Sequence, residues 1–188
     1  MDKDHYLDEL ILERRREKLK EEYVTLEGGL YICGEIEHFE REEILDTFSM
    51  MVPVNFEVME EEFARVKYPS VFRPQHLLTS KDVSTDLGVS VFTDNLGDMN
   101  TLQVTEQIQK TLYDEQGVYE FSEIEEVEET GIHWFDFHHS AMDSTVYHII
   151  SIFRMNQKLV QVNFNCLLSE HQDWKVAVIK MLESVECM

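Results

Sequence analysis

The chain has 188 residues, an apolar fraction of 43%, 7 Gly and 3 Pro, and a formal net charge of −22. That length and composition suit one folded domain, or one domain with an appendage, and exclude a disordered chain. A charge so far from zero repels phosphate backbones and anionic bilayers, which argues against nucleic acid and membrane surfaces and for solubility and a basic protein partner.

The opening, MDKDHYLDELILERRREKLK, lacks the apolar core and small-residue cleavage site of a signal peptide, and no run approaches a membrane span. Cys33, Cys166 and Cys187 are widely spaced without a CxxC, which fits free thiols in a reducing cytoplasm. Asp2 to about Glu22 predicts a helix with a thin apolar stripe of Tyr6 or Leu7, Leu10 and Ile11. Asp4, Asp8 and Glu9 come early and Arg14, Arg15, Arg16, Lys18 and Lys20 late, which suits the helix dipole. This basic cluster reads either as a solvated helix or as an arm engaging the acidic body of a neighbouring copy. The expected division is residues 1–22 as a charged helix and 23–188 as a single α+β domain.

Tyr23 to Gly34 predicts a hairpin turning at Gly28-Gly29, and His38 to Leu45 a short helix. Thr47 to Val52 reads as a strand ended by Pro53, and Glu57 to Arg65 as a short helix. Gln75 to Thr79 and Leu87 to Thr93 predict a hairpin over a polar link, Ser80 to Asp86. Asp98 to Glu115 predicts a helix capped by Asp98 or Asn100 and ended by Gly117. Its stripe is Leu102, Ile108 and Leu112, with Val104 or Thr105 beside it. Val118 to Glu129 predicts a strand feeding a turn at Thr130-Gly131.

Ile132 to Leu168 is the strongest signal: β-branched and aromatic runs separated by SAMDS and RMNQK, which predict a three-stranded antiparallel meander. A loop at Met155-Asn156-Gln157 would set Ile152 against Val160, Ile150 against Val162, His148 against Phe164 and Val146 against Cys166. Ser169 to Cys187 then predicts an amphipathic helix with stripe Trp174, Val178, Met181, Leu182 and Val185, and a capping box of Ser169 and Gln172. The sum is an α+β fold in which helices cover an antiparallel sheet.

The order of FSMMVP, a hairpin, DMNTLQVTEQIQKTL, the meander and WKVAVIKMLESV resembles the PsbP/Mog1-like fold from about Asp46 to Val185. KYPSVFRP is similar to a segment of uncharacterised proteins of gut Firmicutes, which implies a bacterial source. The fold resemblance implies a mostly non-enzymatic binding or accessory protein, since one member binds a small nuclear-transport GTPase and another a photosystem. It carries over no functional residue, and the N-terminal helix lies outside its pattern.

Among chemical constellations, Asp136 and His138 share a strand face, as a two-ligand metal site would, and His148 would have to be the third ligand. The apolar pattern instead groups Phe135 and Phe137 with Val146, Ile150 and Ile152. That grouping puts His133, His139 and His148 on the core side, with Asp136 and His138 outside beside Tyr147. The expectation is therefore no bound metal, no cofactor and no catalytic residue, Cys166 being a core thiol and no nucleophile motif surrounding Cys33 or Cys187. Met50, Met51, Met59, Trp134, Phe135 and Phe137 are read as core. The dense acidic run of Glu120, Glu123, Glu125, Glu126, Glu128 and Glu129 has no basic residue within it. It reads either as a docking face for a basic protein or as a solvated edge whose charges oppose strand aggregation. The expected function is a cytoplasmic, non-enzymatic protein-binding or accessory module with an acidic docking surface, and a homodimer through the N-terminal helix. The alternatives are a small metal-dependent hydrolase using the Asp136/His138 strand and a small-molecule binder with an apolar pocket between sheet and helix.

Overall fold

Strand-forming runs alternate with turn residues through most of the chain, and in the computed structural model, which describes residues 3–92, 99–116, 120–141 and 144–188, the backbone follows them. The elements are α1 (Lys3–Glu22), β1 (Val24–Thr25), β2 (Gly29–Ile32), β3 (Glu35–Glu37), β4 (Phe39–Ile44), β5 (Phe48–Pro53), β6 (Glu57–Val58) and α2 (Glu61–Lys67). There follow β7 (His76–Thr79), β8 (Asp86–Phe92), α3 (Thr101–Gln116), β9 (Glu125–Val127), β10 (Ile132–Ser140), β11 (Thr145–Met155) and β12 (Lys158–Leu167). A 3₁₀ turn (Leu168–Glu170), α4 (His171–Glu183) and β13 (Glu186–Cys187) close the chain. Asp98, Gly117, Val118, Thr93 and Asp2, each named in an expected boundary, lie outside the described residues.

A seven-stranded antiparallel sheet runs β6-β7-β8-β12-β11-β10-β9, flanked by two smaller sheets, β1-β2-β3 and β13-β5-β4. One face of the large sheet carries Leu87, Val89, Ile149, Phe153, Val160, Val162 and Phe164, which form the main core with Phe48 and Met50 of β5 and Trp174, Val178 and Met181 of α4. The opposite face carries Phe135, Phe137, Ile150, Ile152 and Leu159 under Val104, Ile108 and Leu112 of α3. Helices thus cover both faces of the meander, and the architecture is the expected α+β sandwich. Trp134, Phe135, Phe137, Met50 and Met59 are buried as expected, and Met51 packs half-buried against the main core. Among the described residues, no helix is long and apolar enough to cross a membrane.

Several local expectations are corrected. The β11–β12 register is shifted by one residue, with Phe153 opposite Val160, Ile152 opposite Gln161, Ile149 opposite Phe164 and Tyr147 opposite Cys166. The reason is the turn. Only Asn156 and Gln157 lie between the paired Met155 and Lys158, both with positive φ (49° and 64°), as a primed two-residue turn requires. Because α3 covers one face of β11 and α4 the other, apolar residues occur on both faces and alternation does not fix the register.

The expected helix over His38 to Leu45 is strand β4, paired along its length with β5 from Phe39 opposite Pro53 to Ile44 opposite Phe48. Burial of Phe39 and Ile44 against the core outweighs the helix preference of the intervening Glu and Arg residues. The expected hairpin at Gly28-Gly29 is present as β1 and β2, with Gly29 at φ 102°, but its link is the three residues Leu26-Glu27-Gly28 rather than a two-residue turn, and the two-residue turn is Cys33-Gly34 (φ 50° and 100°) between β2 and β3. The capping box at Ser169 is also absent. The chain enters α4 through the 3₁₀ turn, where His171 Nδ1 lies 2.6 Å from the Leu168 carbonyl.

At the start of α3, Asn100 and Gln103 form a reciprocal cap. Gln103 N donates to Asn100 Oδ1 (2.9 Å) and Asn100 N to Gln103 Oε1 (3.0 Å). Leu102, expected in the stripe, is 38% exposed, and Val104 takes its place. Asn100→Ala should lower stability by about 1 kcal/mol, read as a lower urea midpoint at unchanged slope. An unchanged midpoint would show that this cap contributes nothing.

Candidate functional site

The sequence closes β9 onto β10 through Thr130 and Gly131, whose amides both reach the Val127 carbonyl, with Gly131 at φ 67°. That tight turn leaves Glu128 and Glu129 at the tip and Glu125 and Glu126 along the terminal strand of the large sheet. Facing them is the flank of α4, where Gln172, Lys175, Val176, Ile179, Lys180 and Glu183 follow the helical period beside the buried stripe. Between the two lies a groove of about 740 Å³ floored by Val127, Trp134 and Tyr147.

The charges in this groove are unbalanced. Asp136 is occupied, accepting from Tyr147 Oη (2.8 Å) and paired with Lys175 Nζ (2.6 Å). The same ammonium sits 4.9 Å above the Trp134 ring. Among the described residues, Glu125, Glu126, Glu128, Glu129 and Glu183 make no ion pair, and the lining offers them Lys180. The structure therefore brings together Glu125, Glu126, Glu128 and Glu129 of the acidic run. Glu120 and Glu123 are exposed but do not line the groove. Sequence reasoning missed the α4 wall, although its residues flank the predicted stripe at helical spacing.

The histidines part company with Asp136. Asp136 and His138 share the α4 side of the sheet with Tyr147, but Asp136 is half-buried and tied down rather than outside. His148 lies on the α3 side, stacked on Phe137 at 4.6 Å. No group of three or more His, Cys, Asp or Glu among the described residues is placed to hold a metal ion. The cysteines are poorly placed as nucleophiles. Burial, then Glu170 and Asp173, push the Cys33 thiol up to about 11, and burial raises that of Cys166.

His148 instead ends a polar row that crosses four neighbouring strands. Thr79, Asp86, Asn165 and His148 are successive cross-strand partners on β7, β8, β12 and β11. Asp86, fully buried, accepts from Thr79 Oγ1 (2.7 Å) and Tyr68 Oη (3.1 Å) and pairs with Lys67 Nζ (2.6 Å). Asn165 Nδ2 donates to Tyr68 Oη (2.7 Å), and Asn165 Oδ1 accepts from His148 Nδ1. That bond leaves His148 Nε2 to accept from His139 Nδ1 at 2.7 Å. Burial first, then the Asp86 carboxylate, raise the Tyr68 phenol. Burial and the neighbouring His139 push the His148 imidazole down to about 4. Every polar atom in the row has a partner, so it reads as a structural network. A separate apolar groove of about 390 Å³ runs between α3 and β12, lined by Phe92, Met99, Ile108, Leu112 and Leu159.

No known family profile matches the chain, and no curated protein matches it. Among solved structures it is similar to cyanobacterial PsbP (CyanoP) of Synechocystis sp. PCC 6803, at 14% identity over 80% of this chain and 92% of that one, with a TM-score of 0.54. It is also similar to a substituted variant of the protein Mog1, at 11% identity over 80% of this chain and 96% of that one, with a TM-score of 0.52. At these identities the likeness shows the fold: the chain has a PsbP/Mog1-like fold, with α1 as an N-terminal helix.

Proposed function

We propose that this chain is a non-enzymatic protein-binding module whose groove between α4 and β9 receives a basic, partly apolar segment of a partner protein. One observation carries the reading: Glu125, Glu126, Glu128, Glu129 and Glu183 line a concave surface with an apolar floor and make no ion pair among the described residues. A Lys- or Arg-bearing segment would supply the missing charge at the rim, while its apolar side chains would cover Val127, Val176 and Ile179. The terminal strand β9 adds backbone groups that an extended segment could pair with. The same charge density disfavours phosphate-bearing partners such as nucleic acids and anionic bilayers. Three free cysteines are compatible with residence in a reducing cytoplasm.

The test is fluorescence anisotropy of a short peptide of alternating lysine and leucine against the full chain. E125K/E126K/E128K/E129K should weaken binding by about tenfold or more and remove most of its salt dependence. E40K/E43K, which alters exposed positions of β4 away from the groove, should leave binding within about twofold. If the two variants weaken binding equally, the peptide reads net charge alone and the groove is not a docking site.

A further inference from the structure

The described side chains of α1 are exposed from Leu10 to Lys18. Its Leu10, Ile11 and Leu12 are 38%, 64% and 53% exposed. Arg14, Arg15, Arg16 and Lys18 are exposed and, among the described residues, make no ion pair. The helix is fastened near its C-terminal end, where Lys20 Nζ meets Asp173 Oδ1 at 2.7 Å and Asp173 Oδ2 accepts from the Cys33 amide (3.1 Å). Asp173 lies in the first turn of α4, next to Gln172 of the groove wall. One copy therefore presents two complementary surfaces: a helix whose segment from Arg14 to Lys20 is basic and lies beside exposed apolar residues, and an acidic groove with an apolar floor.

We propose that the occupant of the groove is the α1 helix of a second copy of this chain, exchanged reciprocally in a two-fold dimer. The inference rests on the groove being a docking site for basic segments and adds the identity of the segment. Charge complementarity selects α1. The segment from Arg14 to Lys20 carries Arg14, Arg15, Arg16, Lys18 and Lys20 against the single acid Glu17, in a chain whose net charge is −22. The acidic bodies of two copies repel each other, so a contact between copies is favoured where the basic segment of α1 meets the acidic groove. Among the described residues, none of α1 lines its own copy's groove. A helix of this length is a rod of roughly 30 Å that does not fold back on itself without a break, and α1 contains neither Gly nor Pro. In a two-fold arrangement each helix fills the other copy's groove, so both surfaces are covered by one symmetry operation. Arg14 and Lys18 share a helix face with Leu10 and Ile11, with Arg15 at its edge and Arg16 on the far side, so Arg14, Arg15 and Lys18 would face the groove's glutamates while Leu10 and Ile11 reach the apolar floor.

The experiment is light scattering on the full chain at low and high salt, with two charge reversals: R14E/R15E/R16E/K18E on the helix and E125K/E126K/E128K/E129K on the groove. The expected result is a dimer at low salt that dissociates at high salt, with each reversed chain monomeric alone. Mixing the two reversed chains should restore the dimer mass, because the acidic helix of one then meets the basic groove of the other. A full chain that is monomeric at low salt, or a helix reversal that leaves the dimer intact, overturns the proposal. The peptide measurement separates the two readings. If the helix reversal fails to dissociate the dimer while the groove reversal still abolishes binding of the lysine–leucine peptide, the groove stands and the second copy falls. If the groove reversal leaves peptide binding unchanged, both fall.

Discussion

Replacing Asp86 by alanine should destabilise the protein by about 2–4 kcal/mol, a large part of the whole stability of a typical domain. The residue is fully buried in β8, a place where aspartate is ordinarily disfavoured, and three side chains converge on its carboxylate. Without it, the Tyr68 phenol loses its acceptor, which costs about 1–3 kcal/mol, and the buried Thr79 hydroxyl keeps only the longer bond to the Thr85 carbonyl (3.2 Å). The Lys67 ammonium, about a third exposed, can turn to water, so the cost sits on the neutral donors rather than on the ion pair. Tyr68→Phe should therefore cost less, about 1–2 kcal/mol, since Asp86 keeps Thr79 and Lys67. Urea unfolding of the two variants decides the matter. An Asp86→Ala midpoint no lower than that of Tyr68→Phe would mean that the carboxylate is not the hub of the row.

This row also shows where sequence reading stops. Asp86 appears in the sequence as the end of a polar link, and nothing near it names Tyr68, Asn165 or His148 as partners. The strand order sets them side by side, because β12 inserts between β8 and β11. The histidine run was legible as a strand, and the pairing of β10 with β11 leaves Phe135 opposite Ile150, as the apolar pattern implies. The next pairing was lost because an Asn-Gln turn lacks the glycine that marks a two-residue hairpin. The acidic run was legible as a surface feature. Its groove was not, since the second wall comes from α4, more than forty positions further along the chain. The helices α3 and α4 were legible because each buries one face, whereas β4 was not, because its two apolar residues flank a charged stretch that favours a helix when taken alone.

Acid should weaken the fold as the pH falls below about 6.5, and His148 should be the main cause. Its imidazole is held down to about 4 by burial first and by the neighbouring His139 second. Hydrogen bonding to Asn165 opposes both but does not offset them. In the unfolded chain the same group takes up its proton near pH 6.5. Between pH 6.5 and about 4 the unfolded state therefore binds more protons than the folded state, so stability falls as pH falls and levels off below about 4. The full difference is about 3 kcal/mol. His139, lowered by burial, adds to the loss in the same direction. Glu37, raised chiefly by burial, opposes it near the carboxylate range, and Asp82, lowered by the Ser80 hydroxyl, adds a further loss only at lower pH. The substitution that isolates the effect is His148→Gln, whose amide can still donate to Asn165 and accept from His139 without titrating. At pH 7 it should cost about 1 kcal/mol, for lost stacking on Phe137 and imperfect bonding. Between pH 7 and 4 it should lose far less stability than the unsubstituted chain, so the two urea-midpoint curves converge or cross. Parallel curves would place the acid sensitivity elsewhere and show that the buried histidine titrates like an exposed one.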